Sequence, residues 1–404
     1  MAFSATPLPL ARPVPGARPI AIIIGTRPEA IKLAPLVLAL RRRGWPVTVM
    51  ASGQQAALAA AALADFGLAA DTSLDLAAPS PDALLGLLVP ALAAALKALQ
   101  PGWVVVQGDT TTALAGALAA RYAQAPLAHV EAGLRTGRDD PFPEEMHRRT
   151  IASLAQLHFA PTAAAAAALR AEGIADDAII TTGNTGVDAL LVMRDRLAHD
   201  HQLQARAARP LAGVGRARPW VLATIHRREN HGRRLDGVLA ALTALAADMQ
   251  VVLPVHTHPA VAGPVQARLG GHPGVTLLPP LGYASFVWLM GQARLVLTDS
   301  GGVQEEAPAL GLPCLVLRQS TERPEGVASG HARLVGTDRA RIIAATRAAL
   351  ARPAPAPVLP YGDGRAAAAI SSALTRPAGA AWAQSPGSWS RSAGHHQPSR
   401  AAAH

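Results

Sequence analysis

The chain has 404 residues, of which 50% are hydrophobic and 16% charged, and because roughly 100–200 residues form one domain, we expect two domains with terminal tails. The formal net charge is +10, but the arginines are scattered and aromatic residues make up only 3%, so the composition argues against nucleic-acid binding and favours a small anionic substrate. A single cysteine, Cys314, excludes an intramolecular disulfide, and neither the Pro-rich first 18 residues nor the apolar run 83–96 suits a signal peptide or membrane span, so we expect a cytoplasmic protein without a membrane partner.

Short apolar runs alternate with helical patterns along the chain, which predicts an α/β fold with parallel sheets. In the first half we predict strands at 20–24, 47–51, 103–107 and 127–130, and helices at 30–43 and from 112. In the second half we predict strands at 220–224, 251–255, 275–278, 295–298 and 314–318. The expected division is a disordered tail (1–18), two domains (19–187 and 188–360), a last helix (361–375) and a second disordered tail (376–404).

Two segments each place a glycine turn between a strand and a helix. Gly25-Thr26-Arg27 follows the first strand, and Ser300-Gly301-Gly302 follows the strand at 295–298. Free N–H groups at such a helix start favour an anion, so two units of this kind predict two nucleotide-type domains facing a cleft. Arg27 suits a phosphate contact, and the alternative is an ordinary turn with surface cations.

Acidic residues follow two further strands and then begin a helix. Asp109 and Glu131 come after the strands at 103–107 and 127–130, and Glu144 follows in Pro-Phe-Pro-Glu-Glu. Crowded carboxylates at one sheet edge would supply an acid and a base. Structural alternatives remain, because Asp109 or a Thr that follows it suits a helix N-cap and Glu144 a helix first turn.

The second half of the sequence has three histidines that follow predicted strands. His226, in His-Arg-Arg-Glu-Asn, ends the strand at 220–224, where it suits phosphate binding or proton transfer, and a solvated loop is the alternative. His256 and His258 lack a nearby acidic or cysteine partner in the sequence, so a metal site is not expected.

Taken together, the motifs resemble those of the non-hydrolysing UDP-N-acetylglucosamine 2-epimerases. The matching segments run from residue 25 to about residue 364 and include GTRPEAIKLAP, QGDTTT, HVEAGLRTG, HRREN, LTDSGGVQEEAP and TERPE. The resemblance implies two Rossmann-like domains in a glycosyltransferase-B-like arrangement, with the active site in the interdomain cleft. It also implies that the last helix packs back on the first domain and that the protein is a homodimer.

The resemblance further implies a reaction. UDP leaves by anti elimination to give a 2-acetamidoglucal, the proton returns to the opposite face of C2, and UDP adds back, without a metal or other cofactor. Proton-transfer and intermediate-stabilising roles fall to Asp109, Glu131 and Glu144, with His226 near the phosphate and sugar. The implied substrate contacts are Arg27, Lys32, Phe286 (against uracil), Ser300, Gly301, Gly302, Glu306 (to ribose) and Arg323.

Three positions depart from the family pattern. The family's Gln-His-Arg motif, which lines an accessory site for activation by substrate, is Gln54-Gln55-Ala56 here, so the resemblance does not extend to that activation. His147 replaces a usual Asn, and Leu281 occupies a position that is often polar.

Four other functions share the pattern or the fold. They are a hydrolysing 2-epimerase, an epimerase of a modified UDP-sugar, a glycosyltransferase and an inactive UDP-sugar sensor.

Overall fold

The computed structural model describes residues 14–137 and 142–376, which form two parallel sheets covered by helices. The N-terminal sheet has the strand order β3-β2-β1-β4-β5-β6-β7, and the C-terminal sheet has the order β10-β9-β8-β11-β12-β13. Both orders reverse once, between β1 and β4 and between β8 and β11. An open parallel sheet binds ligands in the crevice outside the carboxyl ends of its strands at such a reversal.

The N-terminal sheet and its helices come first along the chain. The strands are β1 (Ile20–Ile24), β2 (Val47–Ala51), β3 (Thr72–Ser73), β4 (Trp103–Gln107), β5 (Leu127–Val130), β6 (Leu157–Ala160) and β7 (Ile179–Thr181). The helices are α1 (Arg27–Arg42), α2 (Ala56–Asp65), α3 (Pro81–Leu99), α4 (Thr111–Tyr122), α5 (Glu144–Leu154) and α6 (Ala163–Ala171).

Two helices, α7 (Thr185–His199) and α8 (His201–Ala208), lead to the C-terminal sheet. Its strands are β8 (Trp220–Thr224), β9 (Gln250–Pro254), β10 (Val275–Leu278), β11 (Leu295–Thr298), β12 (Cys314–Val316) and β13 (Ala332–Leu334). The remaining helices are α9 (Arg233–Leu245), α10 (Pro259–Leu269), α11 (Tyr283–Gln292), α12 (Gly301–Glu306), α13 (Pro324–Ala328), α14 (Arg339–Leu350) and α15 (Ala366–Leu374).

The predicted α/β class is confirmed, and the paired sheets have the glycosyltransferase-B-like arrangement. Four strands, β3, β6, β7 and β13, are not among the predicted ones, and they have only two to four residues each. The first helix begins at Arg27, three residues before its predicted start at 30. The proposed domain boundaries stay a prediction, and most of the two expected tails (1–13 and 377–404) lies outside the described residues.

The burial of the central strands agrees with a parallel sheet that is covered by helices on both faces. All five residues of β1 and of β4 are buried, as expected for strands covered by helices on both faces. The largest apolar cluster includes β1 and β8 residues such as Ile22 and Leu222, and also Ile370 of α15. The two sheets and the last helix therefore share one continuous core.

Helix α15 is anchored to the N-terminal half. The carboxylate of Asp188, on α7, accepts hydrogen bonds from the N–H groups of Ala366 (3.3 Å) and Ala367 (2.8 Å) at the start of α15. The guanidinium of Arg43 donates to the hydroxyl of Ser372 (3.0 Å) near its end. These contacts fix the return of the chain to α1 and α7.

Within the described residues, α3 is the one helix whose length and apolar composition would allow it to cross a membrane. Core helices of soluble proteins meet the same criterion. Leu84, Leu88, Leu92 and Leu96 form a buried stripe along α3 at four-residue spacing. This stripe packs α3 into the N-terminal core, which is how a surface helix of a globular domain is buried.

A buried histidine pair makes folding sensitive to acid. His129 of β5 and His158 of β6 are register partners in the sheet, and both side chains are almost fully buried. Burial lowers the pKa of each to about 4. In the unfolded chain these histidines bind protons near pH 6.5, whereas in the folded chain they bind them only near pH 4. The free energy of unfolding therefore falls as the pH drops from 6.5 towards 4.

We expect each histidine to remove about 3 kcal/mol of stability across that range, since one pH unit corresponds to ~1.4 kcal/mol. Asp188 and Glu306 act in the opposite direction, because burial raises the pKa of these carboxyls to about 6 and about 7. The measurement is therefore a comparison of urea unfolding between the wild type and His158→Gln at pH 6.5 and 4.5. The variant should lose ~2 kcal/mol less than the wild type on acidification, and equal losses would contradict the assignment.

Candidate active site

The candidate site lies where the carboxyl edges of the two sheets meet. Gly25 follows β1, and Asp109 and Glu131 follow β4 and β5. His226 and Ser300 follow β8 and β11, the two strands at the reversal of the C-terminal sheet. The structure thus places the predicted residues of both halves at the edges expected for ligand binding.

A buried glutamate, Glu29, builds the first of the two predicted glycine turns. Its carboxylate is fully buried and accepts hydrogen bonds from the N–H groups of Gly25 (3.0 Å) and Thr26 (2.7 Å). It also accepts from the hydroxyls of Thr26 and Thr110, both at 2.7 Å. Glu29, which the sequence analysis did not single out, therefore ties the turn after β1 to the loop that carries Asp109.

Gly25 is needed for space and not, as the sequence suggested, for an unusual backbone turn. Its φ is not among the positive values found in this chain. A Cβ atom at this position would lie 2.0 Å from Oγ1 of Thr112 and 2.6 Å from Oγ of Ser52. Any side chain here would push the start of α4 away from the turn.

A chain of alternating charges crosses from one sheet to the other. Nζ of Lys32 lies 2.6 Å from Oε1 of Glu131 and 3.6 Å from Oε2 of Glu305. Nε of Arg323 lies 2.7 Å from Oε1 of Glu305. Lys32, predicted as a substrate-site cation, is thus paired with two carboxylates, and Glu305 is a site residue that the sequence analysis missed.

The alternation of positive and negative side chains determines which of these groups are ionised. Burial alone would lower the pKa of Lys32, but Glu131 and Glu305 more than offset it and raise that pKa. Burial alone would raise the pKa of Glu131, but the charge and hydrogen bond of Lys32, the charge of Arg323 and the hydrogen bond from Asn184 together more than offset burial and lower that pKa. Both groups are therefore ionised at neutral pH.

Glu131 is held in a strained and well-defined position. Its backbone φ is 63°, a left-handed conformation that costs a non-glycine residue about 1–3 kcal/mol. Nδ2 of Asn184 donates to its Oε1 (3.2 Å), and Nε2 of Gln107 donates to its Oε2. Residues held in this way concentrate at functional sites.

Asp109 forms a separate cluster with the first turns of α5. Its carboxylate lies 2.6 Å from Nη2 of Arg148, whose Nη1 contacts Glu145 (2.9 Å). Nδ1 of His147 donates to the Asp109 carbonyl (2.8 Å), so the histidine that replaces the family's usual Asn supports this loop. Of the two predicted cap residues, the Thr is the N-cap, since Oγ1 of Thr110 accepts from the N–H of Ala113.

Glu144 is the first residue of α5, as the structural alternative proposed. Its Oε2 atom is buried and has no hydrogen-bond partner among the described residues. A carboxylate oxygen in this state is costly in the absence of a partner, so Glu144 is a good candidate for contact with a ligand.

Asp299 sets the orientation of His226. Its fully buried carboxylate accepts from the backbone N–H groups of His226 (3.1 Å) and Arg227 (3.0 Å) and from Nδ2 of Asn230 (3.0 Å). Nδ1 of His226 lies 3.1 Å from the same carboxylate. Burial lowers the pKa of His226, so the neutral ring donates from Nδ1 and keeps a lone pair on Nε2.

The second glycine turn packs against Arg323. Ser300 occupies the N-cap position of α12, but its side chain accepts no cap hydrogen bond there. A Cβ atom on Gly301 would lie 2.7 Å from Cζ of Arg323. On Gly302 the nearest atom would be Oγ of Ser300, at 4.0 Å.

These two neighbouring glycines give a matched test of the packing. Gly301→Ala should destabilise the protein by ~1–3 kcal/mol, because the added methyl displaces the buried guanidinium of Arg323. Gly302→Ala should be neutral or stabilising by up to ~1 kcal/mol, since alanine favours the helix. Urea unfolding of both variants is the measurement, and equal stabilities would contradict the close approach of Gly301 and Arg323.

Glu306 and Arg27 bring the two halves together at a second point. The hydroxyl of Tyr283 donates to Oε1 of Glu306 (3.0 Å), and burial raises the pKa of Glu306 to about 7. Burial also lowers the pKa of Arg27, which interacts electrostatically with Asp65 and Glu306. Phe286 lies one turn after Tyr283 on α11, half-buried against the main core.

The residues at the accessory-site position make internal contacts. Oε1 of Gln55 accepts from the backbone N–H of Arg27 (3.1 Å). Oε1 of Gln54 accepts from the hydroxyl of Thr112 (2.7 Å). This segment therefore supports the glycine turn after β1.

The fold and the candidate site define an α/β protein with two parallel sheets and a cluster of paired charges that joins them. A family model described as UDP-N-acetylglucosamine 2-epimerase matches residues 38–375. The chain belongs to the UDP-N-acetylglucosamine 2-epimerase family.

Individual relatives agree with this assignment. The chain is 42% identical over 364 residues to the UDP-N-acetylglucosamine 2-epimerase of Salmonella typhimurium, covering 87% of this chain and 97% of the relative. Its structure is similar to that of UDP-GlcNAc 2-epimerase from Neisseria meningitidis bound to UDP-GlcNAc, with a TM-score of 0.82, 37% identity and coverage of 88% and 99%. It is also similar to the Methanocaldococcus jannaschii enzyme in complex with UDP-GlcNAc and UDP, with a TM-score of 0.76, 31% identity and coverage of 88% and 99%.

Proposed function

We propose that this protein catalyses the reversible epimerisation of UDP-N-acetylglucosamine to UDP-N-acetylmannosamine without net hydrolysis. The observation that carries the proposal is the charge chain between the sheets, in which Lys32 contacts Glu131 from one half and Glu305 from the other. It joins a candidate proton acceptor to the candidate diphosphate cradle. Family membership supports the choice of a UDP-sugar as substrate.

Glu131 is the candidate for proton transfer at C2. Because Lys32 holds it ionised, it is in the form that a proton acceptor requires. In the proposed elimination the C2–H bond breaks and its proton passes to a carboxylate. The electron pair of that bond forms the C1–C2 double bond as the C1–O bond breaks, and UDP leaves with the electron pair of the C1–O bond. Asp109 and Glu144 are the further carboxylates proposed for proton return to the opposite face and for stabilising the intermediate.

The leaving UDP gains negative charge, so cations and N–H groups that meet it lower the barrier. We assign this role to Arg27, Arg323 and the turn Ser300-Gly301-Gly302, with His226 beside the phosphate and sugar. Lys32 is the remaining substrate-site cation. Glu306 is proposed to bind the ribose hydroxyls, and Phe286 is proposed to pack against uracil. No cofactor or metal is part of this proposal.

Incubation with UDP-N-acetylglucosamine in heavy water, followed by NMR, tests the proposal. We expect a reversible mixture of the two UDP-sugars, with deuterium at C2 of both. Mixing the free glucal and UDP should also regenerate both UDP-sugars, as re-addition requires. Release of UDP together with free N-acetylmannosamine would instead establish a hydrolysing epimerase.

Further assays separate the remaining alternatives. A panel of modified UDP-sugars identifies an epimerase of another substrate, and sugar transfer to an acceptor identifies a glycosyltransferase. UDP-sugar binding without C2 exchange identifies a sensor. Each of these outcomes would replace the proposed activity.

We further propose a cytoplasmic homodimer that supplies N-acetylmannosamine units for surface polysaccharide synthesis. Light scattering of the purified full-length chain tests the dimer, and a monomer would contradict it. Loss of an N-acetylmannosamine-containing polysaccharide on deletion of the gene tests the pathway.

A further inference from the structure

Tyr361, which no role above uses, lies in the segment between α14 and α15 and is 2% exposed. Its hydroxyl donates to the carbonyl of Arg323 (3.1 Å) and accepts from the N–H of Gly326 (2.8 Å). Both partners belong to the first turn of α13, so the hydroxyl fixes the loop that presents Arg323.

The main chain of the same residue contacts the N-terminal half. The carbonyl of Tyr361 accepts from the backbone N–H of Asn184 (2.7 Å). Next to this bond, Gly183 (φ 88°) and Gly362 (φ 116°) approach so closely that a Cβ on Gly362 would lie 2.8 Å from Cα of Gly183. The backbone position of Tyr361 is therefore tied to the residue whose side chain holds Glu131.

Together with the charge chain, these contacts form a closed ring of residues. We name the set the contact ring, and its members in order are Tyr361, Asn184, Glu131, Lys32, Glu305 and Arg323. The links are the 2.7 Å backbone bond, the 3.2 Å amide–carboxylate bond, the ion pairs at 2.6, 3.6 and 2.7 Å, and the 3.1 Å hydroxyl–carbonyl bond.

We propose that Tyr361 is a positioning residue that couples the diphosphate side of the cleft, through Arg323, to the proton-transfer side, through Asn184 and Glu131. A ring transmits displacement because each member has a defined partner on both sides. If the Arg323 loop shifts, Glu305 shifts with it, and Lys32 then loses its place between two carboxylates. The expected effect of this coupling on catalysis rests on the proposed function, whereas the structural coupling between the two sides does not.

The test is a double-mutant cycle with Tyr361→Phe and Glu305→Gln, which break the ring at different links. We expect each variant to lower kcat for C2 exchange about 10-fold while KM changes less than about threefold. Because the second substitution acts on a ring that is already open, kcat of the double variant should fall about 10–20-fold. Independent sites would instead give a fall of ~100-fold. A loss near 100-fold overturns the proposal.

A control combines Tyr361→Phe with a substitution outside the ring. Phe286→Leu removes aromatic packing on α11 and breaks no link of the contact ring. When Phe286→Leu is combined with Tyr361→Phe, the fold-loss of kcat/KM in the double variant should equal the product of the fold-losses in the two single variants. Less-than-multiplicative loss in this control as well would show that Tyr361 acts through general softening of the fold, which overturns the proposal.

The coupling is also measurable without a substrate. Urea unfolding of the four proteins in the Tyr361–Glu305 cycle should show the same less-than-additive loss, and additive losses overturn the ring. If the wild type shows no C2 exchange, the proposed function fails while this cycle still decides the coupling. If Tyr361→Phe does not fold, Asn184→Ser replaces it, since serine retains a cap oxygen for α7 but is too short to reach Glu131.

Discussion

Replacing Glu131 by glutamine should abolish C2 chemistry while leaving the protein folded. Glutamine keeps the shape of the side chain, and Lys32 still has Glu305 as an anionic partner. The amide cannot accept the C2 proton, however, and loss of a general base typically costs about 10²–10⁴-fold in rate. We expect kcat to fall at least ~10³-fold, measured as deuterium uptake at C2 and as conversion between the two UDP-sugars.

Glu172→Gln provides the matched control, because Glu172 pairs with Arg135 at the surface, with 36% of its side chain exposed. This variant should keep its activity within about twofold, since exposed ion pairs contribute ~0–1 kcal/mol. Thermal unfolding of both variants separates loss of chemistry from loss of structure. Wild-type deuterium uptake in the Glu131→Gln protein would remove Glu131 from the mechanism.

Replacing Lys32 by methionine should cause the largest loss of stability. The side chain of Lys32 is only 14% exposed, and it lies between two carboxylates that are 7% and 3% exposed. Methionine fills a similar space but leaves Glu131 and Glu305 without their shared cation. Removal of one partner from a buried ion pair costs about 3–5 kcal/mol, and we expect a loss of that size in urea unfolding at pH 7, together with loss of epimerisation.

The sequence provides its own control for this substitution. Lys97, near the end of α3, is exposed and forms no ion pair in the described part of the chain, so Lys97→Met should change stability by less than ~0.5 kcal/mol. The double variant Lys32→Met/Glu131→Gln should recover at least ~1 kcal/mol, because Glu131 loses its cation when Lys32 is removed, whereas Glu305 keeps Arg323 at 2.7 Å. A Lys32→Met protein as stable as the wild type would show that the charge chain does not contribute to folding.

Much of the candidate site follows from the sequence because chemistry and spacing are local properties of the chain. The alternation of apolar runs and helices gave the α/β class, and the residues that follow β1, β4, β5, β8 and β11 were found because ligand sites of parallel sheets lie at the ends of strands. Short strands such as β7 and β13 were missed because three residues carry too little periodicity to identify a strand.

Residues whose importance depends on distant partners could not be found in this way. Glu305 stands beside Glu306 in the sequence, and nothing local shows that it reaches Lys32 while Glu306 meets Tyr283. Glu29 resembles any acid in a helix first turn, yet it is fully buried and holds the turn after β1. Tyr361 begins the matching segment YGDG, but nothing local shows that it reaches Arg323 and Asn184.

By itself, the sequence determined the fold class, the family and most of the polar side chains of the cleft, because these follow from patterns within a few residues. Only the tertiary structure decided which charges are paired. The pairing between Lys32 and Glu305 brings together residues 273 positions apart, and it depends on how the two sheets face each other. Because burial makes every unpaired charge costly, that three-dimensional pairing determines which groups are ionised and hence what chemistry the cleft can perform.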